Sequence, residues 1–243
     1  MMRSKWVKIF VLIAIIAYIV GSLVLIDRTD DDVCRKIGVR IKDSTDSHFV
    51  SEKDVADFLK QKGLNPIGVR LSEINTERIE KKMSEMALVK RAECYVTPSG
   101  EMKVDVYQRE PVLRVLSNNE SFYVDCEGEI MPVSENFTAY VIVVTGNVSR
   151  KFAKTKVFDF VNFLRKDKFW NAQIEQINVS SNEEVSLVPR VGDHVILFGK
   201  LEDYDKKLAR LMKVYKKGFG AEGWNAYSKI NLKYEGQVVC TKK

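Results

Sequence analysis

The stretch Val89–Arg109, VKRAECYVTPSGEMKVDVYQR, holds two runs of strand-forming residues on either side of Pro98-Ser99-Gly100. Met102, Val104 and Val106 alternate with Lys103, Asp105 and Tyr107, so a strand here turns one face to a core and the other to solvent. The reading is a β-hairpin, Val89–Thr97 and Glu101–Arg109. Before it, Ile79, Met83 and Met86 recur at helical spacing, which predicts a helix over Asn75–Met86. Asn65-Pro66 and Gly68 mark a loop, and an earlier helix carries Val55, Phe58 and Leu59 between a start at Ser51/Asp54 and a stop at Lys62-Gly63. Ile37, Val39 and Ile41 alternate in a strand over Ile37–Lys42. The order from Ile37 to Arg109 is therefore β-α-α-β-β.

Further upstream, Ile9–Ile26 is eighteen residues without a charge. As a helix it rises roughly 27 Å, near the thickness of a bilayer's hydrocarbon core. Arg3, Lys5 and Lys8 precede it, and Asp27, Asp30, Asp31 and Asp32 follow. That bias places a tail of residues 1–8 in the cytoplasm and the rest of the chain across the membrane. A cleaved signal peptide shares the basic start, but no A-x-A-like site follows: Leu23-Val24-Leu25-Ile26 runs straight into Asp27-Arg28. A buried core helix fits poorly, because apolar residues occupy every face.

Downstream, Glu110-Pro111 breaks the pattern and opens a second region, 111–243, after a first domain at 33–110. Strand-like runs occur at Val112–Leu116, Phe122–Cys126, Tyr140–Thr145, Ile174–Val179, Val185–Val188 and His194–Phe198, with Lys229–Tyr234 and Gln237–Thr241 at the end. Helices are predicted at Thr155–Lys166 and Leu201–Lys217. The fold class is α+β: a membrane helix, the β-α-α-β-β unit, then a mostly antiparallel β domain bearing two helices.

The chain carries a mild net charge of +6 with both signs interleaved, and no basic stripe alternating with aromatics that would serve nucleic acid. Its densest basic run, Lys206, Lys207, Arg210, Lys213, Lys216 and Lys217, reads as a solvated helix face, with contact to anionic lipid or cell-wall polymer as the alternative. Cys34, Cys94, Cys126 and Cys240 allow three pairings, and their spacing selects none. In strands, Cys94 and Cys126 read as small buried residues. Gly218–Gly223 satisfies G-x-G-x-x-G, but a helix precedes it, so it reads as a helix stop and not a dinucleotide turn. His48 and His194 lie in no metal-binding pattern and are expected at surfaces or turns. Glu183-Glu184 and Asp203/Asp205 read as solvated, without an apolar pocket to raise a pKa. Asn119, Asn136, Asn147 and Asn178 each begin an N-x-[ST] triplet, common by chance. No catalytic, cofactor or metal residues are assigned.

The β-α-α-β-β unit behind a membrane anchor resembles a POTRA domain. Gly63-Leu64-Asn65-Pro66, Leu88-Val89-Lys90-Arg91-Ala92 and Tyr107-Gln108-Arg109-Glu110-Pro111-Val112 resemble landmarks of the FtsQ/DivIB bacterial cell-division proteins. So do Val195–Gly199 with Lys207–Leu211, and the closing stretch Ile230–Val239. The resemblance implies a non-catalytic, single-span scaffold of the divisome in the bacterial inner membrane, at the division septum. It also implies FtsB/DivIC-like and FtsL-like partners, one of which adds a strand to the open edge of the last strands. Carried over by match, the partner-binding residues are Leu232, Lys233, Tyr234, Gly236, Gln237, Val238 and Val239. Lys233 stands where the family has an arginine, the Glu235-Gly236 turn is one residue shorter, and Glu183-Glu184 falls near another family arginine. A membrane-anchored cell-wall hydrolase is the alternative; no His, Cys, Ser and carboxylate constellation supports it. An outer-membrane assembly factor would need a run of amphipathic strands that the helices at Thr155 and Leu201 interrupt.

Overall fold

The computed structural model describes residues 3–26, 33–42, 48–117, 120–219 and 223–243, with the side chains of the first helix described from Phe10 to Ser22. The acidic flank at Asp27 and Asp30–Asp32, Asn119, the middle of the Gly218–Gly223 motif and the basic side chains of the tail lie outside the described residues. The chain divides into two compact units, Met1–Asp46 with Val50–Gln108, and Ser47–Phe49 with Arg109–Lys243.

In the first unit, α1 (Arg3–Ile26) is followed by β1 (Lys36–Ile41), α2 (Glu52–Gln61), α3 (Thr76–Met83), β2 (Val89–Val96) and β3 (Glu101–Gln108). The sheet order is β1-β3-β2, with β1 parallel and β2 antiparallel to the central strand. Ser51 caps α2 reciprocally: its hydroxyl accepts from the Asp54 N–H, and the Asp54 carboxylate accepts from the Ser51 N–H. Asn75 caps α3 by accepting from the Arg78 N–H. Val55, Leu59, Ile79 and Met83 from the helices are buried, as are Met102, Val104 and Val106 from β3. Each such burial contributes about 1.5–3 kcal/mol. Asp105 departs from the alternation. It is only 6% exposed, because Arg40 on β1 clamps its carboxylate from Nε at 2.7 Å and Nη2 at 2.8 Å.

The helix α1 bears apolar side chains exposed on all sides, Phe10 and Tyr18 most of all at 75% and 78%. Among the described residues, no helix is long and apolar enough to cross a membrane.

The second unit is one nine-stranded sheet built from β4 (Pro111–Ser117), β5 (Ser121–Asp125), β6 (Ile130–Pro132), β7 (Ile142–Gly146), β8 (Ile174–Val179), β9 (Val185–Pro189), β10 (Val195–Gly199), β11 (Tyr227–Asn231) and β12 (Val239–Lys242). Its order is β12-β11-β10-β9-β8-β7-β4-β5-β6. Three of its eight ladders are parallel, β4/β7, β7/β8 and β10/β11, and five are antiparallel. The last two parallel pairs follow from long helical connections, since a parallel return needs a crossover. Between β7 and β8 run α4 (Arg150–Phe152), a π-helical stretch Ala153–Val157, α5 (Phe158–Lys166) and α6 (Lys168–Gln173). Between β10 and β11 runs α7 (Tyr204–Lys217). Phe160, Val161 and Leu164 of α5 and Leu208 and Leu211 of α7 join Val115, Val144, Ile177, Leu187, Ile196 and Ile230 of the sheet in one core. Gly146 closes β7 at φ +93°, where a Cβ would meet the Val179 carbonyl oxygen at 2.1 Å, so no other residue fits.

Several expectations are corrected. Besides the two expected helices, the β domain carries α4 and α6, and the short strand β6 adds to its sheet. Cys126 is exposed, just past the end of β5, while Cys94 is buried. Burial pushes the Cys94 thiol up to about 12. His194 is not at the surface: it is 1% exposed, its Nε2 sits 2.9 Å from the Tyr215 hydroxyl, and Phe219 and Trp224 flank its ring. Leu201 is buried but precedes α7, which starts at Tyr204 after Asp203 turns through φ +47°.

Candidate partner-binding edge

The sheet of the second unit ends at β12. One side of that strand pairs with β11 in the register Asn231↔Val239, Ile230↔Cys240 and Lys229↔Thr241; among the described residues no strand pairs with its other side. An edge strand of this kind presents a row of N–H and C=O groups able to template another strand. Val239 is 45% exposed, while Cys240, opposite the buried Ile230, packs against the core.

The two closing strands are shorter than their periodicity implies. β11 stops at Asn231, whose side-chain oxygen accepts from the Lys233 N–H at 3.0 Å and turns the chain. Residues 232–238 then form a loop and not strand ends. Arg210 on α7 holds that loop from beneath, donating to the main-chain oxygens of Leu232 at 3.2 Å, Tyr234 at 2.5 Å and Gln237 at 2.9 Å. A planar guanidinium can serve three carbonyls at once, which a lysine cannot do in one fixed geometry.

The seven residues assigned by resemblance separate into distinct environments. Leu232 is buried at 0% exposure, and its N–H donates to the Leu197 oxygen of β10 at 2.9 Å. It therefore belongs to the core, and its side chain presents nothing to a partner. Tyr234 is 52% exposed with no described ring contact, and Gln237 is exposed beside it. Gly236 takes φ +73° at the tip of the loop, and Val238 packs partly against the core. Lys233 is committed elsewhere: its Nζ donates to the Glu184 carboxylate, and its stem lies over Gly199, where a Cβ would stand 3.1 Å from Lys233 Cγ. The ammonium holds the Glu184 carboxyl below its ordinary range. Glu184 is thus paired within the chain, a contact its sequence neighbourhood did not reveal; Asp203 and Asp205 are exposed, as expected.

Around the edge the remaining basic residues differ in how they are used. Lys206 pairs with Asp203 at 3.2 Å, and Lys243 with Asp193 at 2.8 Å. Lys207 sits 4.9 Å from the Phe198 ring centre and donates to the Lys200 oxygen; burial pulls its pKa down. The carbonyl clamp of Arg210 has no local sequence signal beyond its position three and seven residues before Lys213 and Lys217, on a common helix face. Among the described residues no group of three or more His, Cys, Asp or Glu side chains could hold a metal ion.

Comparison with known families places both units. Residues 110–241 match the family described as FtsQ/DivIB, C-terminal related, and residues 32–107 match the POTRA-like domain. No curated protein matches the chain.

Proposed function

We propose, from the premise that this chain belongs to the FtsQ/DivIB C-terminal-related family and carries a POTRA-like domain ahead of it, that it is a bitopic scaffold of the bacterial divisome. In this reading it is not an enzyme. Residues 1–8 stay in the cytoplasm, Ile9–Ile26 cross the inner membrane once, and the POTRA domain (33–110) and β domain (111–243) lie outside, at the septum. The uninterrupted apolar run, with exposed apolar side chains on all sides of α1, supports the span.

The observation that carries the role is the unpaired side of β12 next to an exposed tyrosine. An extended segment of an FtsB/DivIC-like partner adds to that edge, main-chain hydrogen bonds supplying affinity and the Tyr234 ring supplying buried area. An FtsL-like protein joins through that partner. Lys233, Gly236, Gln237, Val238 and Val239 shape the loop and the strand start that the partner meets. The test is co-purification of the full chain, in detergent, with the FtsB/DivIC-like protein of the same genome. Tyr234→Glu and Cys240→Pro, the latter removing an N–H of β12 that faces away from β11, should each abolish retention while the thermal midpoint of the scaffold stays within a few degrees of wild type. Retention equal to wild type in both variants refutes the edge mechanism.

A further inference from the structure

Beside the unpaired strand lies a groove of about 420 Å³ between α7 and the β11–β12 loop, lined by Arg210, Lys213, Lys217, Val214 and Val238 together with two glycines. No carboxylate lines it. Among the described residues, the side chains of Lys213 and Lys217 enter no ion pair or hydrogen bond, in contrast to those of Lys206, Lys233 and Lys243. Arg210 makes three hydrogen bonds to carbonyl groups, which carry no countercharge and leave its positive charge without a counter-ion. Three cations therefore line one shallow, open groove, where their like charge favours an anionic partner. The groove is also mostly apolar, through Val214 and Val238 among others, which a bare phosphate chain would not use. Val238 lines the groove and immediately precedes the first residue of β12, so the groove adjoins the start of the free edge.

We propose that this groove receives an acidic and aliphatic stretch of the same polypeptide that pairs with β12. Carboxylates of that stretch meet Arg210, Lys213 and Lys217, and an aliphatic side chain covers Val214 and Val238. The inference rests on the edge reading above and adds to it the chemistry of the partner. Lys233 is occupied by Glu184, whereas the side chains of Lys213 and Lys217 on α7 are unpaired among the described residues. Complementary charge here sets register along the strand and speeds encounter.

The experiment measures the affinity of the full chain for the FtsB/DivIC-like partner at 50 and 300 mM NaCl, with Cys240→Pro, which removes an outward-facing N–H of β12, as the edge control. The charge-reversed variant K213E/K217E should bind at least roughly tenfold more weakly at low salt and lose most of the salt dependence, since both substitutions lie on the exposed face of α7. Reversal of partner carboxylates to lysine should restore its binding. Wild-type affinity and salt dependence in K213E/K217E, with binding lost in Cys240→Pro, overturns the groove and leaves the edge standing. No binding by the wild-type chain overturns both. Sodium polyphosphate is the second probe: binding abolished by K213E/K217E while partner affinity is unchanged overturns the proposal and assigns the groove to an anionic polymer.

Discussion

Arg210 donates to the main-chain oxygen of Gln237 across 2.9 Å, and the same guanidinium reaches the oxygens of Leu232 and Tyr234. One helix side chain thereby sets the path of the loop that leads into the free edge strand. Its contribution is geometric as much as energetic: three carbonyls that would otherwise turn to water are held in a single arrangement.

Replacing Arg210 by lysine keeps the charge and removes the fork. Unfolding free energy should fall by about 1–2 kcal/mol, in the range of charged hydrogen bonds that are partly lost. Amide exchange should quicken over residues 227–242 and stay unchanged in the β2–β3 hairpin. Unchanged exchange in the closing strands would show that the loop holds its path without Arg210.

Leu232 and Tyr234 are two residues apart and should respond in opposite ways. Leu232→Ala opens a cavity in a fully buried site and should cost about 2–5 kcal/mol in chemical denaturation. Tyr234→Ala removes an exposed ring and should leave stability within about 0.5 kcal/mol while partner retention falls. Equal destabilisation by both would mean that Tyr234 is part of the core.

Glu183 holds φ +59° in the β8–β9 turn, a conformation that costs an ordinary residue about 1 kcal/mol. Glu183→Gly should therefore raise stability by up to about 1 kcal/mol, or about 2–4 °C in Tm for a domain of this size. A lowered midpoint would mean that the Glu183 side chain makes a contact worth more than its strain.

Acidification should weaken the fold in two windows. Burial among aromatic rings lowers the His194 pKa from its ordinary 6.5, with Asp193 and the Trp224 main chain partly opposing the shift. A depressed histidine pKa means the unfolded chain takes up the proton first. Stability is therefore complete above about pH 6.5 and declines below it, by at most about 1.4 kcal/mol per pH unit. Glu184, held low by Lys233, adds a loss only at lower pH, as its carboxylate is protonated. Denaturation curves at pH 7.5 and 5.5 should differ in wild type and converge in His194→Gln; an equal difference in that variant would assign the effect to other groups.

The β-α-α-β-β order was legible in the chain because each of its signals is local. Ser51 and Asn75 cap their helices, Ile79 and Met83 set a helical period, and Met102, Val104 and Val106 set a strand period. Asp105 broke the alternation only because Arg40, sixty-five residues away, folds onto it. The candidate edge was legible in outline alone. Its last strands could be named from their residues, but their true ends depend on Asn231 and on a helix side chain, Arg210.

By itself the sequence determined an apolar stretch at the amino end, two units with their strand and helix periods, and the likeness that pointed to a division scaffold. Those properties are carried by composition and by neighbours within a few positions. Only the tertiary structure decided that Leu232 is core and Tyr234 surface, that Lys233 is spent on Glu184, that His194 is buried, and that β12 stands at the end of the sheet with three cations beside it. The physical reason is the parallel return of β11 through α7: it brings residues more than twenty positions apart into hydrogen-bonding distance, and no local pattern records that pairing.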